Sequence, residues 1–301
     1  TNYPVSLISF VKENPYLSFA SIRILFSHLS GIAGMESRIT IEEVVILAGG
    51  YGSRMGSATE NLPKPMIALG NKPILLHIID YYLRWGAKRF VVCCGYKMNC
   101  IQSFFANQGY QIDCVSDTDV VVKYKGADLI LADTGLNAGT AQRVARIKKY
   151  INGKHYYLTY GDGLSDVDLD SLFNMHLGSD AMTTITVVHP KERFGVVRFD
   201  NDHRIVSFQE KAQHSDMWIN GGFMVLKSDF FEKILEEDQS LEYDCFPRLV
   251  AEHAMAVYCH TGFWQCMDTI EEKNILEAMV HSEQAPWIKN DGKKEVNNGV
   301  Y

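Results

Sequence analysis

The chain has 301 residues, of which 47% are hydrophobic and 22% are charged, and its formal net charge is −7 at neutral pH. This composition is typical of a globular protein with one large α/β domain plus additions, and a chain of this size needs no disulfide staples. The negative charge argues against a dedicated nucleic-acid binder, which is usually basic, but allows a nucleotide held by a few arginines and lysines.

Residues 1–40 differ in character from the rest of the chain. They are helix-prone and amphipathic, with apolar residues such as Phe19 and Leu25, and they end in the hinge-like segment SGIAG. The start lacks the basic region of a signal peptide, and Arg23 and His28 interrupt the most apolar stretch, which argues against a membrane span. We therefore expect an assembly element of a homo-oligomer with no membrane role.

Strand-like and helix-like patterns alternate in the following residues. The run VVIL at 44–47 has no polar face, as a buried strand of a parallel sheet requires. Further strands are predicted at 89–94, 129–132, 156–160 and 183–188, and helices at 79–88, 140–151 and 168–178. This alternation predicts a doubly wound, mostly parallel, Rossmann-like α/β sheet.

The pattern becomes richer in strands after residue 183, in GVVRF, RIVSFQEK and GGFMVLK. It predicts a mixed-strand extension of the sheet that covers the site. The catalytic domain is thus expected to span 41–288, followed by a loose polar tail at 289–301. Because ligands of such folds lie at the carboxyl ends of the strands, residues directly after strands are the first candidates for a site.

The seven cysteines show no metal or redox spacing. Cys93 and Cys94 are adjacent within an apolar run, and no CxxC pair occurs. Neither a zinc site nor a thioredoxin-type motif is therefore indicated. We expect buried, reduced thiols in a cytoplasmic protein.

A glycine-rich loop follows the strand at 44–47 and reads AGGYGSRMG, with LPKPM after it. Its glycines let backbone N–H groups approach a polyphosphate, while Arg54 adds a planar fork and Lys64 a mobile charge. The loop lacks the GK[ST] of a Walker motif, and Met55 stands where a dinucleotide fingerprint needs its last glycine. GGYG alone could be an ordinary turn, but Arg54 and Lys64 favour a phosphate-binding loop.

Two aspartates are candidates for holding a metal ion. Asp162 lies in YGDG directly after the strand at 156–160, and Asp268 lies among hydrophobic residues in GFWQCMDT. Nucleotidyl transfer needs charge neutralised at phosphorus, usually by Mg²⁺ on one or two carboxylates. Each has a plainer interpretation, an Asp–Gly turn for Asp162 and a helix N-cap for Asp268. Together with the loop they predict a magnesium site.

These motifs, with RFGVV, SFQEK and INGGF between them, resemble the sugar-phosphate nucleotidyltransferases over about 43–288. ILADTG, PKERFG and FWQ-MDT are similar to the glucose-1-phosphate cytidylyltransferase branch of that family. The resemblance implies the nucleotide-diphospho-sugar transferase type of fold. It also implies that CMP passes from CTP to a sugar 1-phosphate, by in-line displacement with Mg²⁺, to give a CDP-sugar and pyrophosphate.

The resemblance further implies roles for individual residues. The nucleotide would be bound by Leu47, Ala48, Gly49, Gly50, Tyr51, Gly52, Ser53, Arg54, Lys64, Thr140, Arg143 and Gly161. The sugar phosphate would be bound by Arg193, Glu210, Lys211, Asn220 and Gly221, with Phe194 nearby. Asp162 and Asp268 would bind Mg²⁺, and the catalytic cations would be Arg54, Lys64 and Lys211.

Three departures from the family pattern leave alternatives open. Ala141 and Gln142 replace two glycines, so that GTAQ resembles the base-contacting segment of uridylyl- and thymidylyltransferases, and UTP or dTTP stays an alternative. Ala212 replaces a proline, and LEYDCFPRL replaces a segment with tryptophan and an acid. Another sugar phosphate, a polyol phosphate or an amino-acid-like phosphate is therefore an alternative acceptor. A catalytically inactive nucleotide-binding or assembly protein is the alternative of a different class.

Overall fold

The computed structural model describes residues 41–190, 196–209 and 217–289. The predicted N-terminal extension and all but the first residue of the predicted tail lie outside these residues. So do the predicted site residues Arg193, Glu210 and Lys211, with the neighbouring Phe194. Among the described helices, none has the length and apolarity needed to cross a bilayer.

The secondary structure has short strands and seven described α-helices. The strands are β1 (Glu43–Leu47), β2 (Ala68–Leu69), β3 (Lys72–Pro73), β4 (Arg89–Cys94), β5 (Ile112–Cys114), β6 (Val120–Tyr124), β7 (Ala127–Asp133), β8 (His155–Tyr160), β9 (Gly163–Ser165), β10 (Thr183–Val188), β11 (Val196–Phe199), β12 (Ile205–Gln209), β13 (Ile219–Lys227), β14 (Met255–Cys259) and β15 (Trp264–Cys266). The helices are α1 (Ile74–Arg84), α2 (Met98–Asn107), α3 (Thr140–Arg146), α4 (Leu169–Ser179), α5 (Phe246–Ala251), α6 (Ile270–His281) and α7 (Pro286–Lys289). Short 3-10 turns occur at Ser53–Thr59, Lys64–Met66, Lys148–Tyr150 and Ser228–Lys233, and a π-helical turn at Leu241–Cys245.

A nine-stranded sheet forms the centre of the described structure, in the order β14-β10-β13-β8-β1-β4-β7-β6-β5. Strands β8, β1, β4 and β7 run parallel to one another. Strand β13 lies antiparallel between β8 and β10, and β6 lies antiparallel to β7. The predicted mostly parallel, doubly wound sheet is confirmed, and the strand-rich segment after residue 183 adds β10, β13 and β14 at one edge. The prediction is wrong for GVVRF and RIVSFQEK, because among the described strands β11 and β12 pair only with each other and form a separate antiparallel ribbon.

Strand β1 shows why its sequence lacks a polar face. Val44 and Ile46 pack into one hydrophobic cluster, and Val45 and Leu47 pack into a second one. Alternate residues of a strand point to opposite faces of a sheet, so β1 has a core on both sides. Burying each aliphatic side chain contributes about 1.5–3 kcal/mol. The chain leaves this well-packed strand directly into the glycine-rich loop.

Two predicted helices have different bounds in the structure. The helix predicted at 79–88 is α1, which begins directly after Pro73, whose backbone is extended. It ends before Gly86, where φ is 93° and the right-handed helix cannot continue. The helix predicted at 140–151 is α-helical only to Arg146 and is followed by a 3-10 turn.

Strand β6 and helix α2 were not predicted from the sequence. β6 forms a hairpin with β7 through Lys125 and Gly126, which have φ values of 49° and 82°. Such a turn needs two residues at positive φ, and Asn-Gly or Asp-Gly is its usual signature. Here lysine occupies the first turn position, so the usual hairpin signature is absent even though strand β6 is rich in valine.

All seven cysteines are free thiols. Cys93, Cys94 and Cys245 are buried, as the prediction of buried thiols requires, and burial raises the pKa of Cys93 to about 12. The prediction is wrong for Cys114 and Cys259, which are exposed. Both lie in short strands near the ends of the sheet, β5 and β14, which have a neighbour on only one side.

Candidate active site

A cavity of ≈ 370 Å³ opens beyond the carboxyl ends of β1 and β8. Its lining residues are Leu47, Ala48, Gly49, Gly50, Gly52, Ser53, Arg54, Lys64, Pro65, Ala138, Gly139, Thr140, Arg143, Tyr160, Gly161, Asp162 and Asp268. Every predicted nucleotide-binding residue is in this set except Tyr51, whose hydroxyl donates to Asn137 Oδ1 at 2.8 Å. The volume suits one small ligand.

Arg143 fixes the glycine-rich loop through a hydrogen bond to its backbone. It is buried, and its guanidinium donates to Gly49 O at 3.0 Å, Cys94 O at 3.0 Å and Thr134 Oγ1 at 2.7 Å. Burial lowers its pKa, but a guanidinium stays charged in proteins. Arg143 therefore lines the cavity while its terminal nitrogens are bonded to residues at or just after the ends of β1, β4 and β7.

The packing of Arg143 predicts a sharp difference between two adjacent glycines. A Cβ on Gly49 would lie 2.0 Å from Arg143 Nη1, whereas a Cβ on Gly50 would meet no atom within 4 Å. We expect Gly49→Ala to destabilise the protein by roughly 1–3 kcal/mol because the guanidinium must shift. Thermal unfolding without nucleotide should show a lower Tm for Gly49→Ala and an unchanged Tm for Gly50→Ala. Equal Tm values for the two variants would show that Arg143 does not clamp this loop.

The segment GTAQR begins helix α3 beside this loop. Gly139, Thr140 and Arg143 line the cavity, whereas Ala141 and Gln142 do not. Ala141 is fully buried in the second hydrophobic cluster, so α3 turns this side away from the ligand. The glutamine of the GTAQ segment thus lies outside the lining.

Strand pairing brings the two predicted metal ligands together. β9 pairs antiparallel with β15, with Gly163 opposite Cys266, and the Met267 N–H donates to Asp162 O at 2.9 Å. Asp162 and Asp268 immediately flank this pairing. Residues more than 100 positions apart therefore place their carboxylates at one edge of the cavity.

The alternative interpretation of Asp268 as a helix N-cap is wrong. Thr269 is the N-cap of α6, and it forms a capping box with Glu272. Glu272 also accepts from the Asp268 N–H at 2.7 Å. The Asp268 carboxylate is free of any capping role and points to the cations of the cavity.

Lys64 joins both aspartates. Its Nζ lies 2.6 Å from Asp162 Oδ2 and 2.6 Å from Asp268 Oδ1, and Arg54 Nη1 lies 2.6 Å from Asp268 Oδ2. Burial by itself would lower the pKa of Lys64, but Asp162 and Asp268 outweigh it and raise that pKa. The Lys64 side chain is 11% exposed, whereas that of Arg54 is 75% exposed. The cavity thus has one buried ammonium, whose charged form two carboxylates stabilise, and one largely exposed guanidinium at its rim.

Asp162 and Asp268 could together hold a divalent cation. Within the described part of the chain, no cluster of three or more His, Cys, Asp or Glu side chains could bind a metal alone. Mg²⁺ is commonly held by one or two carboxylates together with substrate phosphates, so this donor pair fits it. The fit requires that the nucleotide supply the remaining ligands.

Asn220 and Gly221 lie outside the cavity lining, behind Tyr160. Asn220 Nδ2 donates to the Tyr160 hydroxyl over 3.4 Å, and Trp264 Nε1 donates to Gly221 O at 2.7 Å. The Tyr160 ring covers Gly222, where φ is 79° and a Cβ would lie 2.5 Å from the ring. The INGG motif is thus built to hold Tyr160 at the cavity wall.

Sequence reasoning missed Glu242 and the cavity role of Tyr160. Glu242 contacts Thr140, Tyr160 and Ser240 through its carboxylate. It lies in LEYDCFPRL, which departs from the family pattern, and 102 positions separate it from Thr140. No local spacing signals such a contact.

The fold and the lining of this cavity agree with those expected of a nucleotidyltransferase. The family model "Nucleotidyl transferase" matches residues 43–284, and the chain belongs to this family. It is 35% identical over 253 residues to the glucose-1-phosphate cytidylyltransferase of Salmonella typhi, which covers 81% of this chain and 98% of that protein. The resemblance seen in the motifs is thereby confirmed, and the chain is an enzyme of the nucleotidyltransferase type.

Other relatives differ in the base and acceptor in their names. The D-glycero-alpha-D-manno-heptose 1-phosphate guanylyltransferase of Aneurinibacillus thermoaerophilus is 31% identical over 205 residues, 67% of this chain and 82% of that protein. The structure of the inositol-1-phosphate CTP transferase from T. maritima matches with a TM-score of 0.57 and 18% identity, over 80% of this chain and 96% of that one. This structural match supports the fold alone.

Proposed function

We propose that the chain transfers CMP from CTP to glucose 1-phosphate and forms CDP-glucose and pyrophosphate. The observation that carries the chemistry is the cluster of Lys64, Asp162, Asp268 and Arg54 beside a glycine-rich loop. The choice of base and sugar rests on the Salmonella typhi relative at 35% identity.

The proposed reaction is a single in-line displacement. A phosphate oxygen of glucose 1-phosphate attacks the α-phosphorus of CTP, and the bond from that phosphorus to the bridging oxygen of the β-phosphate breaks. Pyrophosphate leaves with the electron pair. The attacking oxygen is already anionic at neutral pH, so no protein base is needed, and the protein contributes alignment and charge stabilisation.

The roles of the residues follow from their positions. Backbone N–H groups of the glycine-rich loop hold the triphosphate, and Arg54 and Lys64 stabilise the leaving pyrophosphate. We assign Lys211, which lies outside the described residues, to the incoming sugar phosphate from the resemblance alone. Arg193 and Glu210 are assigned to the same acceptor on that basis.

We further propose that Asp162 and Asp268 hold Mg²⁺, which would neutralise charge on the reacting phosphates. Lys64 contacts both carboxylates and therefore competes with a cation for them. Nucleotide phosphates offer Lys64 a second anionic partner, so nucleotide and metal are expected to bind together and not independently.

The proposal is tested by pyrophosphate release with four nucleoside triphosphates against a panel of phosphorylated acceptors. The highest kcat/KM is expected with CTP and glucose 1-phosphate in the presence of Mg²⁺. A higher kcat/KM with UTP or dTTP would show that the assigned base is wrong. A higher kcat/KM with another sugar, polyol or amino-acid-like phosphate would show that the assigned acceptor is wrong. No release with any pair would support the inactive nucleotide-binding alternative.

A further inference from the structure

Glu242 connects two hydroxyls of the cavity wall. It lies in the π-helical turn at Leu241–Cys245, and its Oε2 accepts from Thr140 Oγ1 at 2.8 Å and from Ser240 Oγ at 2.7 Å. Its Oε1 accepts from the Tyr160 hydroxyl. A carboxylate can only accept hydrogen bonds, so each hydroxyl must give its single proton to Glu242.

Because their protons are donated to Glu242, the hydroxyls of Thr140 and Tyr160 have a restricted hydrogen-bonding capacity toward a ligand. Thr140 and Tyr160 line the cavity. Thr140 Oγ1 also accepts from the Leu241 N–H at 2.8 Å, and the Tyr160 oxygen accepts from Asn220 Nδ2 at 3.4 Å. A hydroxyl has one donor and two acceptor sites, so each oxygen keeps one lone pair and no proton. Through these two hydroxyls the wall accepts hydrogen bonds and does not donate them.

Thr140 lies on the α3 side of the cavity, where its hydroxyl donates to the Glu242 carboxylate. It begins helix α3, and one turn later Arg143 is bonded to Gly49 of the glycine-rich loop. Arg54 and Lys64, with their aspartates, lie in the lining of the same cavity. When the phosphates of a nucleotide contact these two cations, the part of the lining that includes Thr140 is left for its nucleoside.

We propose that Glu242 is a positioning residue that selects cytosine over uracil by keeping Thr140 a pure acceptor, an inference that rests on the proposed function. Cytosine carries an exocyclic amino group where uracil carries a carbonyl oxygen. The amino group can donate to the lone pair of Thr140, whereas the uracil oxygen meets a lone pair with no proton between them. The N3–H of uracil lies between two carbonyls, so its approach brings a carbonyl against the same wall.

The test measures binding of CTP and of UTP, each with Mg²⁺ and without acceptor, by isothermal titration calorimetry. Thr140→Val removes the hydroxyl at nearly constant volume, and Thr140→Ser is the matched control that keeps it. The wild type and Thr140→Ser are expected to prefer CTP. Thr140→Val should lose about tenfold of that preference, the size of one neutral hydrogen bond, through weaker CTP binding.

In Glu242→Ala the Thr140 hydroxyl no longer donates to a carboxylate and can donate to the uracil oxygen. The affinity for UTP should therefore rise, and the preference for CTP should fall. Thermal unfolding checks that each variant is folded. If Glu242→Ala does not fold, the comparison of Thr140→Val with Thr140→Ser decides the test. An unchanged CTP-to-UTP ratio in Thr140→Val, or a wild-type preference for UTP, overturns the proposal. Because binding is read without an acceptor, the absence of pyrophosphate release would refute the proposed reaction and leave this test readable.

Discussion

Replacing Asp162 or Asp268 with asparagine is expected to reduce kcat/KM for pyrophosphate release by at least about 10³-fold. Each change keeps the shape of the side chain but removes one of the two negative charges proposed to hold Mg²⁺. The loss should not be recovered by excess Mg²⁺. Steady-state kinetics at several metal concentrations measure it.

Asp128→Asn is the matched control for these variants. Asp128 forms an exposed pair with Lys123 at 2.6 Å on the protein surface, and exposed pairs contribute little to stability. Its kinetics and Tm should equal those of the wild type. Asparagine variants of Asp162 or Asp268 with near-normal rates would remove both residues from the proposed metal site.

Lys64→Met is expected to reduce kcat/KM by about 10²–10³-fold, because a positive charge proposed to stabilise the leaving pyrophosphate is lost. The same variant should bind Mn²⁺ more tightly than the wild type in the absence of nucleotide. Lys64 Nζ lies 2.6 Å from each of Asp162 and Asp268, and methionine leaves both carboxylates without that partner. Electron paramagnetic resonance of free Mn²⁺ measures the binding independently of catalysis.

Lys148→Met serves as the control for Lys64→Met, since Lys148 forms a surface pair with Glu232 and its side chain is 57% exposed. Neither its activity nor its Mn²⁺ binding should change. If Lys64→Met turned over within about threefold of the wild type, Lys64 would have no catalytic role. If Lys64→Met bound Mn²⁺ no more tightly than the wild type does, the competition between the lysine and the metal would be refuted.

The elements that could be predicted from the sequence are those whose signal is local. The run at 44–47 is apolar on both faces, and the glycines and Arg54 follow it directly, so the strand and the loop are predicted from adjacent residues. Strand β4 matches its predicted bounds of 89–94 for the same reason. These signals are sufficient for the fold class and for the glycine-rich loop of the candidate site.

The relations between distant segments could not be predicted in this way. Asp162 and Asp268 meet because β9 pairs with β15, and both strands are only three residues long. Glu242 reaches Thr140 and Tyr160 through a π-helical turn that has no sequence signature. The support of Gly49 by Arg143 likewise depends on how α3 packs against β1. In each case tertiary packing, and not local propensity, decides the contact.

The fate of the α-phosphate of CTP tests the central claim most directly. CTP labelled with ³²P at the α-position is incubated with glucose 1-phosphate, Mg²⁺ and the full chain, and the products are separated by chromatography. We expect the label to move into CDP-glucose while the released pyrophosphate stays unlabelled. Label that stays in CTP, or that appears in free CMP without a nucleotide sugar, would contradict it.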